Sequence, residues 1–228
     1  MNLNYYAVVD IETDGIDPEK CNPLQLGAVI VDPRKLEIVK GSEFSSWIQP
    51  PEFHSKDFDY FEEHKDTIAF HCENFKEDKN QFLARLENAQ SEKLVWKDFA
   101  EYLKSYYIPG QKKTHFSSCI LAGYNVLNYD KVILDRMAAK YKNMGKDGKS
   151  NLFNKRMCVD VMHLAYYWHE GSNVLPNYKL DTLREHFPFP ELEGQAHEAL
   201  KDCIDTATYL IRYLKLHRHF AQKVEGFH

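Results

Sequence analysis

Two apolar runs rich in Val, Tyr and Ile stand within the first 31 residues, at 5–11 and 24–31. Runs of that length and composition are strands, and two so close together commit the start of the chain to a sheet. A third run, 36–48, alternates more loosely, and Asp14-Gly15 and Asp32-Pro33 punctuate the three as turns. The other end carries a different period. Leu200, Cys203, Ile204, Ala207, Leu210, Ile211 and Leu214 recur at helical spacing, which gives an amphipathic helix one face to lay on that sheet.

Between these ends the pattern alternates. Residues 96–107 have helical spacing through Trp96, Phe99, Leu103 and Tyr106, and 120–124 reads as a short strand. Asn128 reads as the N-cap of a helix to about residue 142, burying Val132, Ile133, Leu134, Met137 and Tyr141. A loop at 142–151 follows, with Lys146 and Lys149 placed either in solvent or against backbone phosphates. Then come a strand at 156–159 and helices at 161–168 and 180–186. The 50–91 segment is polar, aromatic and acidic without a clean period. It reads as an insertion that contains short helices, because a structureless loop of that length is unusual in a compact domain. The expectation is one α/β domain over 1–228, with an insertion at about 50–91 and no repeat or linker.

Several classes fall away. No apolar run approaches the roughly 20 residues that span a bilayer, and the N-terminus lacks a basic and apolar leader, so a cytoplasmic protein with no membrane partner is expected. Five scattered cysteines form no CxxC pair, which argues against a disulfide framework or zinc module. His54, His64, His71 and Cys72 cluster, but their spacing fits no standard structural zinc pattern. The net charge of −5 disfavours a protein that wraps nucleic acid on a broad basic surface. An enzyme holding a few nucleotides is still open, since bound divalent cations can supply the positive charge.

Three acidic clusters carry the chemistry. In VVDIETDG (8–15), alternate strand residues share a face, so Asp10 and Glu12 point one way and Ile11 the other. Two carboxylates so placed repel unless a cation neutralises them, and oxygen ligands suit Mg²⁺ or Mn²⁺. The alternative is a strand end with solvated charges. In AGYNVLNYDKVIL (122–134), Asp130 falls in a first helical turn, where the helix dipole alone would favour it. In AHEALKDCIDTATYL (196–210), His197 and Asp202 lie five positions apart. That is roughly 140° around a helix, so His197 is expected on the turn before the last helix and Asp202 one turn inside it.

Taken in order, D-x-E on the first strand, Asp opening a central helix and HxxxxD opening the last, the chain resembles the DnaQ-like 3′–5′ exonucleases of the DEDDh subgroup. GYN (123–125), CVDVMHLAYYW (158–168) and NYKLDTL (177–183) match the intervening blocks. The resemblance implies a ribonuclease H-like mixed sheet flanked by helices. It further implies two ions of Mg²⁺ or Mn²⁺ on Asp10, Glu12, Asp130 and Asp202, with His197 as general base. Thr13, Gly15, Asn125 and Tyr129 stand where relatives contact the 3′-terminal nucleotide. The 50–91 segment and Tyr124, where many relatives have His, depart from the pattern without removing a ligand.

The activity implied is hydrolysis of phosphodiester bonds from a single-stranded 3′ end, releasing nucleoside monophosphates. A polymerase or other replication or repair protein is a candidate companion. Single-stranded DNA is expected over RNA, because the chain exceeds a minimal oligoribonuclease and carries an extra segment. An inactive nucleic-acid-binding adaptor would lack a ligand, and all five positions are filled. A metal phosphatase would turn over p-nitrophenyl phosphate better than oligonucleotides.

Overall fold

The computed structural model describes residues 3–56, 59–108, 117–188 and 198–224. The N-terminal half supplies β1 (Tyr6–Thr13), β2 (Pro23–Asp32), β3 (Glu37–Ile38) and β4 (Phe44–Gln49). After these come α1 (Tyr60–Glu63), α2 (Lys65–Phe75), α3 (Lys79–Glu87), β5 (Gln90–Ser91) and α4 (Glu92–Ser105). The second half runs β6 (Cys119–Gly123), α5 (Asp130–Lys140), β7 (Phe153–Asp160), α6 (Val161–His169), α7 (Leu180–His186) and α8 (Ala199–Lys223). The strands form one mixed sheet in the order β5-β4-β2-β1-β6-β7, with β3 paired to β2. β1 is antiparallel to β2 and parallel to β6. The fold is α/β, a mixed sheet flanked by helices.

The pleat of β1 sorts its residues between two cores. Ala7, Val9 and Ile11 pack with Leu26, Ala28 and Ile30 under α4 and α5, through Phe99, Leu103, Ile133 and Met137. Val8 turns to the other face and joins Val29, Val31 and Ala122 beneath Cys203, Ala207 and Leu210 of α8. Asp10 and Glu12 follow Val8 in the period of two, so they emerge on the α8 side where the apolar packing ends. The register slips between Glu12 and Thr13, an irregularity that bends the strand just past the carboxylates.

The third apolar run divides. Leu36 and Gly41 take left-handed φ values of 53° and 76°, turning the chain twice and leaving β3 two residues long before β4 starts at Phe44. The helices expected within 50–91 are α1, α2 and α3. They gather Tyr60, Ile68, Phe82 and Leu86 around Leu24, with Trp47 and Phe75 alongside. Phe82 is fully buried, and truncating a side chain of that size costs roughly 3–5 kcal/mol. Asp78 caps α3 in a capping box with Gln81, a signal that was present in the sequence. Asn128 does not cap α5. The helix starts at Asp130 with Tyr129 as N-cap, and the Asn128 amide donates to Asn125 Oδ1 instead. Lys146 and Lys149 are exposed on the turn between α5 and β7. No helix among the described residues is long and apolar enough to cross a membrane.

Candidate active site

The site lies at the C-terminal end of β1, and one close approach makes it possible. Gly27 sits opposite Asp10 on β2, and a Cβ there would stand 2.4 Å from the Ala199 carbonyl carbon and 2.6 Å from Leu200 N. Only glycine lets the first turn of α8 come down onto the sheet at this point. Gln25, opposite Glu12, completes the docking. Its Oε1 accepts the Ala199 N–H at 3.1 Å, satisfying a donor that the helix itself leaves open. Asp202, in that first turn, is thereby carried to the strand carboxylates. Asp10, Glu12 and Asp202 each offer an oxygen, and the three oxygens lie within 4.8 Å of one another.

Asp130 arrives from the opposite side. β1 pairs with β6 only as far as Val8, so the Ile11 N–H has no strand partner there. The buried Asp130 carboxylate takes it, with Oδ1 accepting the Ile11 N–H at 2.9 Å. Asp160 positions this segment. It caps α6 through Met162 N and also accepts the N–H groups of Asn125 at 3.0 Å and Leu127 at 3.2 Å. Asn125 itself takes φ +54°, a left-handed conformation that asparagine tolerates better than most residues. The GYN turn is thus held from β7, and α5 opens with Asp130 aimed at β1.

The concentration of negative charge acts on the carboxyl groups themselves. Burial first, then the charges of Asp130, Asp202 and Glu12, push the Asp10 carboxyl well above the ordinary carboxylate range, with Arg184 opposing. Burial, with Asp202 and Asp130, lifts Glu12 to about 8. Burial raises Asp130 to about 7 against the hydrogen bonds from its own N–H and that of Ile11. Sites that hold carboxylates against their own repulsion are sites made for a cation. The donors are all oxygen and anionic, which fits a hard divalent ion.

Arg184 on α7 is a part of the site that the sequence did not disclose. Its Nη2 donates to Asp202 Oδ1 at 2.6 Å, its Nε to buried Asp205 at 2.7 Å and its Nη1 to Asp181 at 2.7 Å. Lys201 grips the same Asp205 at 2.5 and 2.6 Å. Burial works against the Arg184 charge, but Asp202 and Asp205 outweigh it and hold its pKa above the ordinary value. The planar fork ties Asp202 to α7 and fixes one of its oxygens.

Thr13, Gly15 and Tyr129 form a small knot beside the carboxylates. The Thr13 and Tyr129 hydroxyls reach the Gly15 carbonyl at 2.8 and 2.6 Å and approach each other at 2.6 Å. Asn125 lies on the turn leading to α5. His197 lies outside the described residues.

The fold thus brings carboxylates from the first strand, a central helix and α8 to one end of the sheet. The chain belongs to the Rv2179c-like 3′-5′ exoribonuclease domain family, which matches residues 5–214 and includes the 50–91 segment. That family is described by 3′-5′ exoribonuclease activity. Among solved structures the chain is similar to cell-death related nuclease 4 (CRN-4) at 15% identity and TM-score 0.64, covering 93% of this chain and 64% of that one. It is also similar to E. coli exonuclease I with a dT13 oligonucleotide, at 14% identity and TM-score 0.65 over 99% of this chain and 45% of that one. Exonuclease I from Methylocaldum szegediense matches at 15% identity and TM-score 0.63, over 97% of this chain and 43% of that one. At these identities the likeness is one of fold, and the chain spans under two thirds of each relative's length. No curated protein sequence matches it significantly.

Proposed function

We propose that the chain is a single exonuclease domain, the 50–91 segment included, that removes nucleoside 5′-monophosphates from the 3′ end of single-stranded RNA. The convergence of Asp10, Glu12 and Asp202 within 4.8 Å, with Asp130 locked to the same strand, is the observation that carries the reading. The four carboxylates would hold two divalent ions, Mg²⁺ or Mn²⁺. When bound, such ions counter the phosphate charge and help to activate the attacking water.

The rest falls to the chain's own groups. His197 takes a proton from the water as its oxygen bonds to phosphorus, the P–O3′ bond breaks, and the departing oxygen takes a proton from solvent, leaving a 3′-hydroxyl on the shortened strand. Thr13, Gly15, Asn125 and Tyr129 receive the terminal nucleotide, the Tyr129 ring offering a stacking face that reads no base identity. The enzyme works in the cytoplasm. A nucleic-acid-handling protein is the kind of companion to seek, as in the structure of SSB/exonuclease I with an inhibitor.

RNA takes precedence over the DNA preference expected from chain length because the matching family is described by exoribonuclease activity. Single-stranded DNA is the second reading, favoured by the fold-related exonuclease I structures that hold dA16 and dT13. Digestion of 5′-labelled RNA and DNA oligonucleotides of equal sequence separates the two. The expected result is a ladder shortening from the 3′ end, faster on RNA, abolished by EDTA and restored by Mg²⁺ or Mn²⁺. Faster loss of DNA selects the second reading, and activity that survives EDTA overturns the metal assignment.

The raised carboxylates also set a pH dependence. Folding lifts Glu12 to about 8 and Asp130 to about 7, so the folded state binds more protons than the unfolded one above their ordinary values near 4. Stability of the metal-free protein should therefore fall as pH rises through 6 to 8. Mn²⁺ neutralises the same cluster and should raise the melting temperature more at pH 8 than at pH 6. The expected gap exceeds about 2–4 °C, the change that 1 kcal/mol makes in a domain of this size. Scanning calorimetry at both pH values checks it, and an equal Mn²⁺ gain at each would contradict it.

A further inference from the structure

The 50–91 segment turns polar side chains toward the catalytic strand. The Tyr60 hydroxyl donates to Asp14 Oδ2 at 2.9 Å, and His64 Nδ1 meets the Asp14 carbonyl at 2.9 Å. His71 Nε2 meets the Thr13 carbonyl at 2.8 Å. A carbonyl oxygen only accepts, so both imidazoles are the donors. His71 is the most deeply set of the two, 2% exposed and stacked on Phe82 with ring centroids 5.6 Å apart at 10°. Its other nitrogen, Nδ1, stands 3.9 Å from Glu12 Oε2, and the Glu12 side chain is 15% exposed.

We propose that His71 is a positioning residue for Glu12, which makes the 50–91 segment part of the catalytic centre. The ring acts at two places. It anchors the Thr13 carbonyl immediately beyond Glu12, where the β1–β2 register slips. It also walls one side of the Glu12 carboxylate, which leaves that group the direction of Asp10 and Asp202. Phe82 holds the ring plane, so the apolar cluster under α2 and α3 sets the position of a carboxylate it never touches. The proposal rests on the reading of the carboxylate cluster as the catalytic centre.

Two substitutions test it. His71→Phe keeps the ring and its stacking on Phe82 but removes the donor, whereas His71→Gln restores an N–H at about the reach of Nε2. For His71→Phe, kcat on a 5′-labelled RNA oligonucleotide should fall 10–100-fold and the midpoint of a Mn²⁺ titration should rise, the usual range for a group that orients a metal-binding side chain. KM for the oligonucleotide should stay level, and His71→Gln should recover most of both losses. Should the phenylalanine variant fail to fold, the same comparison is read between His71→Asn, too short to reach Thr13 O, and His71→Gln. A wild-type kcat and Mn²⁺ midpoint in His71→Phe, or a glutamine variant as impaired as the phenylalanine one, overturns the positioning role alone. A wild-type protein without cation-dependent hydrolysis overturns the functional reading and the positioning role with it.

Discussion

Asp10→Ala is expected to cut RNA hydrolysis by roughly 10³-fold or more while leaving the fold in place. Transition-state charge stabilisation by a bound ion is worth several kcal/mol, and each 1.36 kcal/mol is tenfold in rate. Asp10 stands at the centre of the cluster, where burial and the three neighbouring carboxylates press hardest on it. Removing it therefore relieves repulsion, and the melting temperature of the metal-free variant should be level with wild type or higher. The signature is opposite movement: activity collapses as apo stability holds or rises. Circular dichroism melts alongside the oligonucleotide assay give both numbers, and a rate within about tenfold of wild type would defeat the assignment.

His197→Ala is expected to cost roughly 10²–10⁴ in rate, the usual worth of a general base. Its acid limb in the pH profile should also disappear or move. Metal affinity should hardly change, because His197 is assigned a proton-transfer role and not a ligand role. Asp202→Ala, five positions on, should behave differently. It removes a member of the oxygen cluster and strips Arg184 of one carboxylate partner, so it should weaken Mn²⁺ binding as well as rate. Calorimetric Mn²⁺ titrations of the two variants separate the roles. The base assignment fails if His197→Ala loses metal to the same degree as Asp202→Ala.

What could be read from the sequence was whatever depends on neighbours along the chain. The alternation at Val8, Asp10 and Glu12 is a two-residue pattern, and the structure keeps it, with Ile11 buried on the opposite face. The helical stripe through Cys203, Ala207 and Leu210 was equally plain. Local signals also misled. The loose run at 36–48 looked like one strand because the left-handed turns at Leu36 and Gly41 leave little trace in hydropathy. Asn128 looked like a cap because its alternative partner, Asn125, lies only one turn away.

The residues that arrange the site were hidden for a different reason. Arg184 meets Asp202 across 18 positions, Asp160 meets Asn125 across 35, and Asp130 meets Ile11 N across 119. Each pairing exists only after the elements have docked, and no periodicity records it. In the sequence the 50–91 segment reads only as a departure that removes no ligand and could narrow or extend the groove. In the structure His71 stands 3.9 Å from Glu12 Oε2, so the segment reaches the strand that carries Asp10 and Glu12. Gly27 is the subtlest case, since a glycine within an apolar strand gives no hint that a helix 172 positions later needs the space of its missing side chain.

That same contact bears on the order in which the carboxylate cluster is put together during folding. β1 and β2 can pair as soon as both are made, but their carboxylates acquire Asp202 only when α8 settles over Gly27. Bringing residues 10 and 202 together closes most of the chain into one loop, an entropic cost met only once the intervening sheet has formed. Late assembly of the site is therefore expected, and pulse-labelled hydrogen exchange on α8 during refolding would check it. On the proposed reading, the oxygen cluster of Asp10, Glu12 and Asp202 is complete only in a chain whose α8 has docked.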